Sequence, residues 1–378
     1  MKSVVIAGYV RSPFTPAKKG ELAKVRPDDL AAQTVRALVQ RTGVDPADLE
    51  DLILGCAFPE GEQGFNLARL VGFLAELPLT VAGTTVNRFC GSSMQAIHMA
   101  AGAIQLDAGE AFVCAGVESM TRVPMGGFNP LPNPALFARY PQAFAAMGET
   151  AENLARQRQI SRRRQEELAL SSQQRAAAAA AAGHFAAELV PITWKGGTVE
   201  RDGTPRPDTT LAGLANLKLA FDDQGTVTAG TSSPVTDGAA ATLVCSEEYA
   251  RRKGLEPLAR IRSVAVSGCQ PEIMGIGPVA ATRKALARAG LAIADIDVVE
   301  LNEAFAAQAL ACVDELGLDL AKVNLDGGAI SLGHPLGATG ARITGKAAAL
   351  LVRERKRYAL ATQCIGGGQG IATILEAV

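Results

Sequence analysis

A thiol, an imidazole and a second thiol stand at glycine-flanked corners of this chain, and their spacing is the first clue to its chemistry. Cys90 lies in TVNRFCGSSM, where a β-like approach runs into a cysteine, a glycine and two serines before a segment of helix-forming composition. The pattern predicts a strand ending at Phe89, a turn carrying Cys90, and a helix from Ser92 with Ser92 or Ser93 as its N-cap. The unpaired N–H groups and the dipole of a helix N-terminus favour a thiolate and offer donors to an oxyanion at the same place. An ordinary thiol is only about 3% ionised at pH 7, so such activation decides whether the sulfur can attack. A small buried residue in a tight turn fits the same letters.

Two further stretches fall in the opposite half. GGAISLGHPLGATGAR sets His334 between Gly333 and Pro335, ahead of an apparent helix start around Ala338 to Arg342. QCIGGGQG ends a strand-like run on Cys364 and follows it with three glycines. Of three histidines, His98 sits within a helical pattern and His184 after a helix stop, which suits structural or exposed roles. Asn302 and Glu303 close the buried strand VVELN, either facing a site or capping the next helix. The GGGQG run leads into a strand rather than a helix, which argues against a dinucleotide loop.

One structural plan used twice must bring these corners together. Residues 42–58 align without a gap to 289–305, Gly43 and Gly290 standing 247 positions apart, as do Phe58 and Phe305. Both copies read as a glycine-stopped helix, an Asp-containing connector and a buried strand. KSVVIAG matches RSVAVSG at the start of each half, and DGAAATLV matches QGIATILE at the end. The first half is interrupted by an insertion, roughly Met120 to Thr231, that opens with Pro- and Gly-rich sequence and continues through RAAAAAAAGH, a helix stopped at Gly183. Strand runs alternating with helical patterns argue for a layered α/β fold.

At 378 residues, 48% hydrophobic, 20% charged and net charge −1, the chain has the composition of a soluble globular protein and makes a poor nucleic-acid ligand. It shows no run of 18 apolar residues and no signal-peptide pattern, so no membrane partner and a cytoplasmic location are expected. The seven cysteines are scattered without metal-ligand spacing, pointing to reduced thiols and no metal.

CGSSMQA around Cys90, NEAFAAQ around Asn302, GHPLGATGAR around His334 and CIGGGQG around Cys364, in that order and from end to end, resemble the thiolase family of acyl-CoA acyltransferases. The resemblance implies two duplicated βαβαβαββ halves forming a layered α/β/α/β/α core. The halves would be 1–119 with 232–256 and 257–378, with an inserted CoA-binding loop domain at 120–231. It implies Cys90 as acylated nucleophile, His334 as its base, Cys364 as acid and base, and Asn302 holding a water of one oxyanion hole. The N–H groups of Cys90 and Gly366 would form the other. CoA would be a co-substrate, with no bound cofactor.

By the same resemblance, Ser233 matches a serine that contacts the pantetheine arm, and Lys218 stands where relatives often have arginine. Met147 and Met274 match methionines lining the acyl pocket, although core packing fits them equally. Homodimers or homotetramers are the family's assemblies. Ala146 stands where acetoacetyl-specific relatives tend to carry histidine, and VNRFCGSSMQA looks like the degradative members. Thiolysis of 3-ketoacyl-CoA is therefore expected, with an acetyl-CoA acetyltransferase as the alternative. A ketoacyl synthase would typically use a second histidine or an asparagine in place of Cys364, and a non-catalytic acyl-CoA binding protein would have no reason to keep both thiols and His334.

Overall fold

The computed structural model describes residues 2–378. The first half runs through β1 (Val4–Arg11), α1 (Pro27–Thr42), β2 (Asp51–Gly55), α2 (Leu67–Leu74), β3 (Ala82–Val86), α3 (Ser92–Gln105) and β4 (Ala111–Ser119). The chain then leaves the sheet for α4 (Met147–Gln157), α5 (Arg162–Ala181) and shorter pieces, returning as β5 (Thr236–Ser246). The second half follows as β6 (Ala259–Gly268), α6 (Gly277–Ala289), β7 (Val298–Leu301), α7 (Ala306–Leu316), α8 (Leu336–Glu354), β8 (Tyr358–Ile365) and β9 (Gln369–Glu376). Gly43 and Gly290 cap α1 and α6 in the left-handed conformation at the same φ of 70°, so the repeat read from sequence is a repeat of backbone.

Strands pair in the order β3-β2-β4-β5-β1 and then β6-β9-β8-β7, the two sets meeting only where Val5 and Ile6 face Arg260 and Ala259. Alternation along each strand covers both faces. Leu52 and Leu54 pack outward with Leu38 of α1 and Val71 of α2, whereas Ile53 packs inward with Ile97 of α3. In the second half Val299 and Leu301 face Val279 of α6 and Cys312 of α7, while Val298 turns toward Ile343 of α8. Helices α3 and α8 thus lie between the sheets and the others outside, giving five layers.

The second half departs from the expected βαβαβαββ order. Its third strand is reduced to one parallel bridge between Val299 and Val323. Asn324 turns to a φ of 50°, which ends extended pairing, and its side-chain amide bonds the N–H and C=O of Leu301 at 2.9 Å each. One side chain does there what a strand does in the first half.

The segment between β4 and β5 is fastened to the core by buried charges. Arg11 of β1 bonds Glu188 and Asp202, both at 2.7 Å, and Lys346 of α8 bonds Glu188 at 3.0 Å and Asp326 at 2.6 Å. Because these groups lie out of water, removing one partner would strand the others, so the pairs fix where the segment docks.

Candidate active site

The turn that carries Cys90 is built by its own polar residues. β3 stops at Val86, three residues before Phe89, and the N-cap of α3 is Gly91 without a side-chain bond. The expectations of a strand ending at Phe89 and of a serine cap are both corrected. Ser92 instead bonds back into the turn, accepting the N–H of Arg88 at 2.9 Å and donating to the carbonyl of Phe89 at 2.6 Å. Ser93 accepts the N–H of Ala341 at 2.8 Å, which ties α3 to α8. Asn87 accepts the N–H of Phe89 at 2.8 Å, and Phe89 sits at a φ of 42°, a left-handed conformation that is costly for a bulky side chain. Gly91 packs closely on the other half, since a Cβ there would lie 2.6 Å from the tip of the Ile365 side chain, which would have to shift to admit it.

Cys90 is buried, and its sulfur faces the N–H of Gly366 and its own N–H. The helix terminus was expected to lower its pKa; the structure raises it to about 11. Burial strips water from the thiolate and outweighs the two N–H groups, and the carboxylate of Glu118 adds to the rise. The resting sulfur is a thiol, so attack needs a base at hand.

His334 precedes α8, with its backbone N–H on Thr236 Oγ1 of β5 at 3.1 Å. Its Nδ1 lies 2.6 Å from Thr339 Oγ1, and that hydroxyl donates to the Pro335 carbonyl at 2.9 Å. The hydroxyl proton is thereby spoken for, which assigns the imidazole proton to Nδ1. Nε2 is left bare, 3.3 Å from Asn302 Nδ2. Burial, helped by Arg342, pushes the imidazole pKa down to about 3, so the ring is neutral and able to accept a proton.

Of the two roles left open for Asn302 and Glu303, capping is excluded. α7 is capped at Phe305 without a side-chain bond, so neither residue caps it. Asn302 turns to His334, and its Oδ1 is buried with no protein partner. Glu303 turns away, taking Ser172 Oγ, Asn324 Nδ2 and the Ile330 N–H.

Cys364 is fully buried near the end of β8, opposite Gly370 of β9. Burial, and then the neighbouring Cys90, push its thiol well above the ordinary value. It shares one apolar cluster with Met147, Met274 and Phe305, so the structure brings both methionines to the second thiol. Gly366 opens the hairpin between β8 and β9, where a Cβ would lie 3.6 Å from Met147 Sδ and 3.7 Å from the Phe89 ring, in ordinary contact. The backbone N–H of Ser233 donates to the Ala304 carbonyl at 3.0 Å, placing that serine beside the Asn302–Phe305 stretch. Lys218 is exposed on a segment whose Phe221 packs edge-on against Phe305, 5.8 Å between centroids; the structure does not bring it to the thiols. His98 is half-buried on Thr373 at 2.8 Å and His184 lies 3.3 Å from Asp326, both away from the thiols' partners. Among the described residues no three His, Cys, Asp or Glu side chains are grouped to hold a metal ion.

A family model described as thiolase, N-terminal domain, matches residues 4–248, and one described as thiolase, C-terminal domain, matches 255–377. The chain belongs to the thiolase family. It is 51% identical over 388 residues to a 3-ketoacyl-CoA thiolase of Erwinia tasmaniensis, with all of both chains covered. The fold superposes on human mitochondrial 3-ketoacyl-CoA thiolase in complex with CoA at a TM-score of 0.92 and 40% identity, covering 100% of this chain and 98% of that one. It also matches the acetyl-CoA acetyltransferase of Bacillus anthracis at a TM-score of 0.93 and 41% identity, covering 100% and 99%.

Sequence reasoning missed three residues of the thiolase site. Gln363 donates to the Cys90 carbonyl across the two halves, Asn87 shapes the nucleophile turn, and Glu118 lies buried behind it. Glu118 left a signal, a lone carboxylate closing the apolar strand AFVCAGVES. Asn87 and Gln363 left none beyond standing close to the two cysteines.

Proposed function

We propose that this thiolase cleaves 3-ketoacyl-CoA with CoA, giving acetyl-CoA and an acyl-CoA two carbons shorter, through an acyl thioester on Cys90. The observation that carries the reading is that Cys90, whose sulfur faces the Gly366 N–H, packs with Leu336 of the turn that carries a neutral His334, whose unprotonated Nε2 faces Asn302. His334 takes the Cys90 proton as the sulfur attacks the 3-keto carbon. The C2–C3 bond breaks, its electron pair passes to the acetyl-CoA enolate, and the Cys364 thiol protonates C2. The thiolate left on Cys364 then takes the proton of incoming CoA, whose sulfur opens the acyl thioester, and Cys90 recovers its proton from His334. A thioester suits a step that another thiol must reverse at little cost.

Preorganised donors stabilise both oxyanions: the N–H groups of Cys90 and Gly366 at one, His334 with a water on the unpartnered Asn302 Oδ1 at the other. Met147 and Met274 would line the acyl chain, Ser233 the pantetheine arm, and Lys218 would offer a cation at the nucleotide end. The names of the relatives support the degradative direction, and the acetyltransferase likeness keeps acetoacetyl-CoA synthesis as the alternative. A rate profile over 3-ketoacyl-CoA chain lengths, with acetyl-CoA alone as the condensation control, tests the choice. Medium or long chains favoured over acetoacetyl-CoA support thiolysis, and efficient condensation with activity confined to acetoacetyl-CoA overturns it.

The proton assignment has a consequence for pH. With His334 at about 3 and Cys90 at about 11, thiol and neutral imidazole are the resting forms between them. Iodoacetamide labelling of the free enzyme at Cys90 should then rise about tenfold per pH unit through neutrality as the thiolate fraction grows. A labelling rate already level between about pH 6 and 8 would mean that Cys90 rests as a thiolate and needs no base.

A homodimer is the assembly that the surface supports. β3 is an edge strand, and Phe65, Phe73 and Leu79 beside it are 92%, 47% and 77% exposed. An unpaired edge flanked by apolar side chains is a self-complementary surface in need of cover. Sedimentation should find two or four copies, with Phe73→Asp weakening association; a monomer at micromolar concentration would contradict this. Among the described residues no helix is long and apolar enough to cross a membrane. All seven cysteines are unpaired, which supports a reducing compartment such as the cytoplasm.

A further inference from the structure

Glu118, the last residue but one of β4, is 1% exposed, and the proposed reaction gives it no role. Its carboxylate collects donors from both halves. Oε2 accepts the N–H of Ala57 at 2.8 Å and that of Gly337 at 2.9 Å. Oε1 accepts Gln63 Nε2 at 2.8 Å, the Phe58 N–H at 3.3 Å and the Cys56 thiol at 3.6 Å. Five donors and no acceptor surround it, the arrangement of an ionised carboxylate making charge-assisted bonds.

Two of those donors lead to the reacting groups. Gly337 stands three residues after His334, in the first turn of α8, and here the halves touch backbone to backbone. A Cβ on Gly337 would lie 2.5 Å from the Val117 carbonyl oxygen, and one on Gly116 would lie 2.1 Å from the Gly337 carbonyl oxygen. Ala57 leads the other way, because its carbonyl accepts Asn87 Nδ2 at 3.0 Å and Asn87 Oδ1 accepts the N–H of Phe89. A continuous hydrogen-bonded path thus runs from the turn of the base, through Gly337, Glu118, Ala57 and Asn87, to the residue before the nucleophile.

We infer that Glu118 is a positioning residue, which through Gly337 on one side and Ala57 with Asn87 on the other sets the separation of His334 and Cys90 across the junction of the halves. Proton transfer between two turns on different halves is sensitive to displacements well under 1 Å, and no covalent connection nearby sets their spacing. The inference rests on Cys90 as the acylated nucleophile.

Pre-steady-state acylation by a 3-ketoacyl-CoA tests it in Glu118→Gln, Asn87→Ala and the double variant. In Glu118→Gln the new NH2 group meets donors where the carboxylate accepted them. Each single variant should acylate roughly tenfold to a hundredfold more slowly with KM little changed. The double variant should be no slower than the worse single one, since both cut one path. A folded Glu118→Gln enzyme with the wild-type acylation rate, or losses that multiply in the double variant, would overturn the inference. If Glu118→Gln does not fold, Asn87→Ala decides alone: a slowed burst at constant KM supports the path, and a wild-type burst removes it. A wild-type enzyme without any acylation burst would instead overturn the Cys90 assignment itself.

Discussion

Cys90→Ala is expected to abolish thiolysis, with kcat falling on the order of 10⁴-fold or more, because the proposed reaction carries the acyl chain on Cys90 and uses Cys364 only to move protons. The substitution removes one sulfur from a cluster with Ala57, Met120 and Leu336, a change worth about 1 kcal/mol of stability, so the variant should fold and still bind CoA. Turnover assays at saturating CoA and 3-ketoacyl-CoA measure it. Near-wild-type turnover would move the nucleophile elsewhere.

Cys364→Ala should divide the reaction differently. Cys90, His334 and Asn302 are untouched, so some acyl-enzyme still forms, but the enolate lacks its acid and incoming CoA lacks its base. Steady-state kcat should fall roughly 10²- to 10⁴-fold, the range of a lost general acid–base group, while a residual acylation burst persists. A complete loss of acylation together with intact folding would make Cys364 part of the nucleophile's own activation. The contrast between the variants is the signature of one thiol as carrier and the other as proton shuttle.

Much of this was legible because the repeat is both a sequence and a backbone feature. Gly43 and Gly290 announce the same left-handed helix stop, and the apolar run through Leu52, Ile53 and Leu54 reads as a strand covered on both faces. The shortening of the third strand of the second half to one bridge was illegible, because Asn324 supplements that bridge with two side-chain bonds that no local pattern encodes. The same limit applied at the site. Motif order pointed to Cys90, His334, Asn302 and Cys364, but which way Asn302 and Glu303 turn depends on Ser172 and Asn324, far away in sequence.

CGSS on its own shows a helix N-terminus, whereas the burial imposed by Leu336 and the hairpin at Gly366 comes from the other half and outweighs it. Activation therefore shifts from the turn to His334. That makes the spacing of the two turns, and with it Glu118, matter more than the helix dipole.

The proposed reaction turns on an acyl thioester on Cys90, and peptide mass spectrometry of enzyme quenched after mixing with a 3-ketoacyl-CoA in the absence of free CoA measures it directly. The expected result is the acyl mass on the peptide containing Cys90, released on adding CoA and absent from Cys90→Ala. An adduct on the Cys364 peptide, or acetyl-CoA release with no adduct on any cysteine, would contradict it.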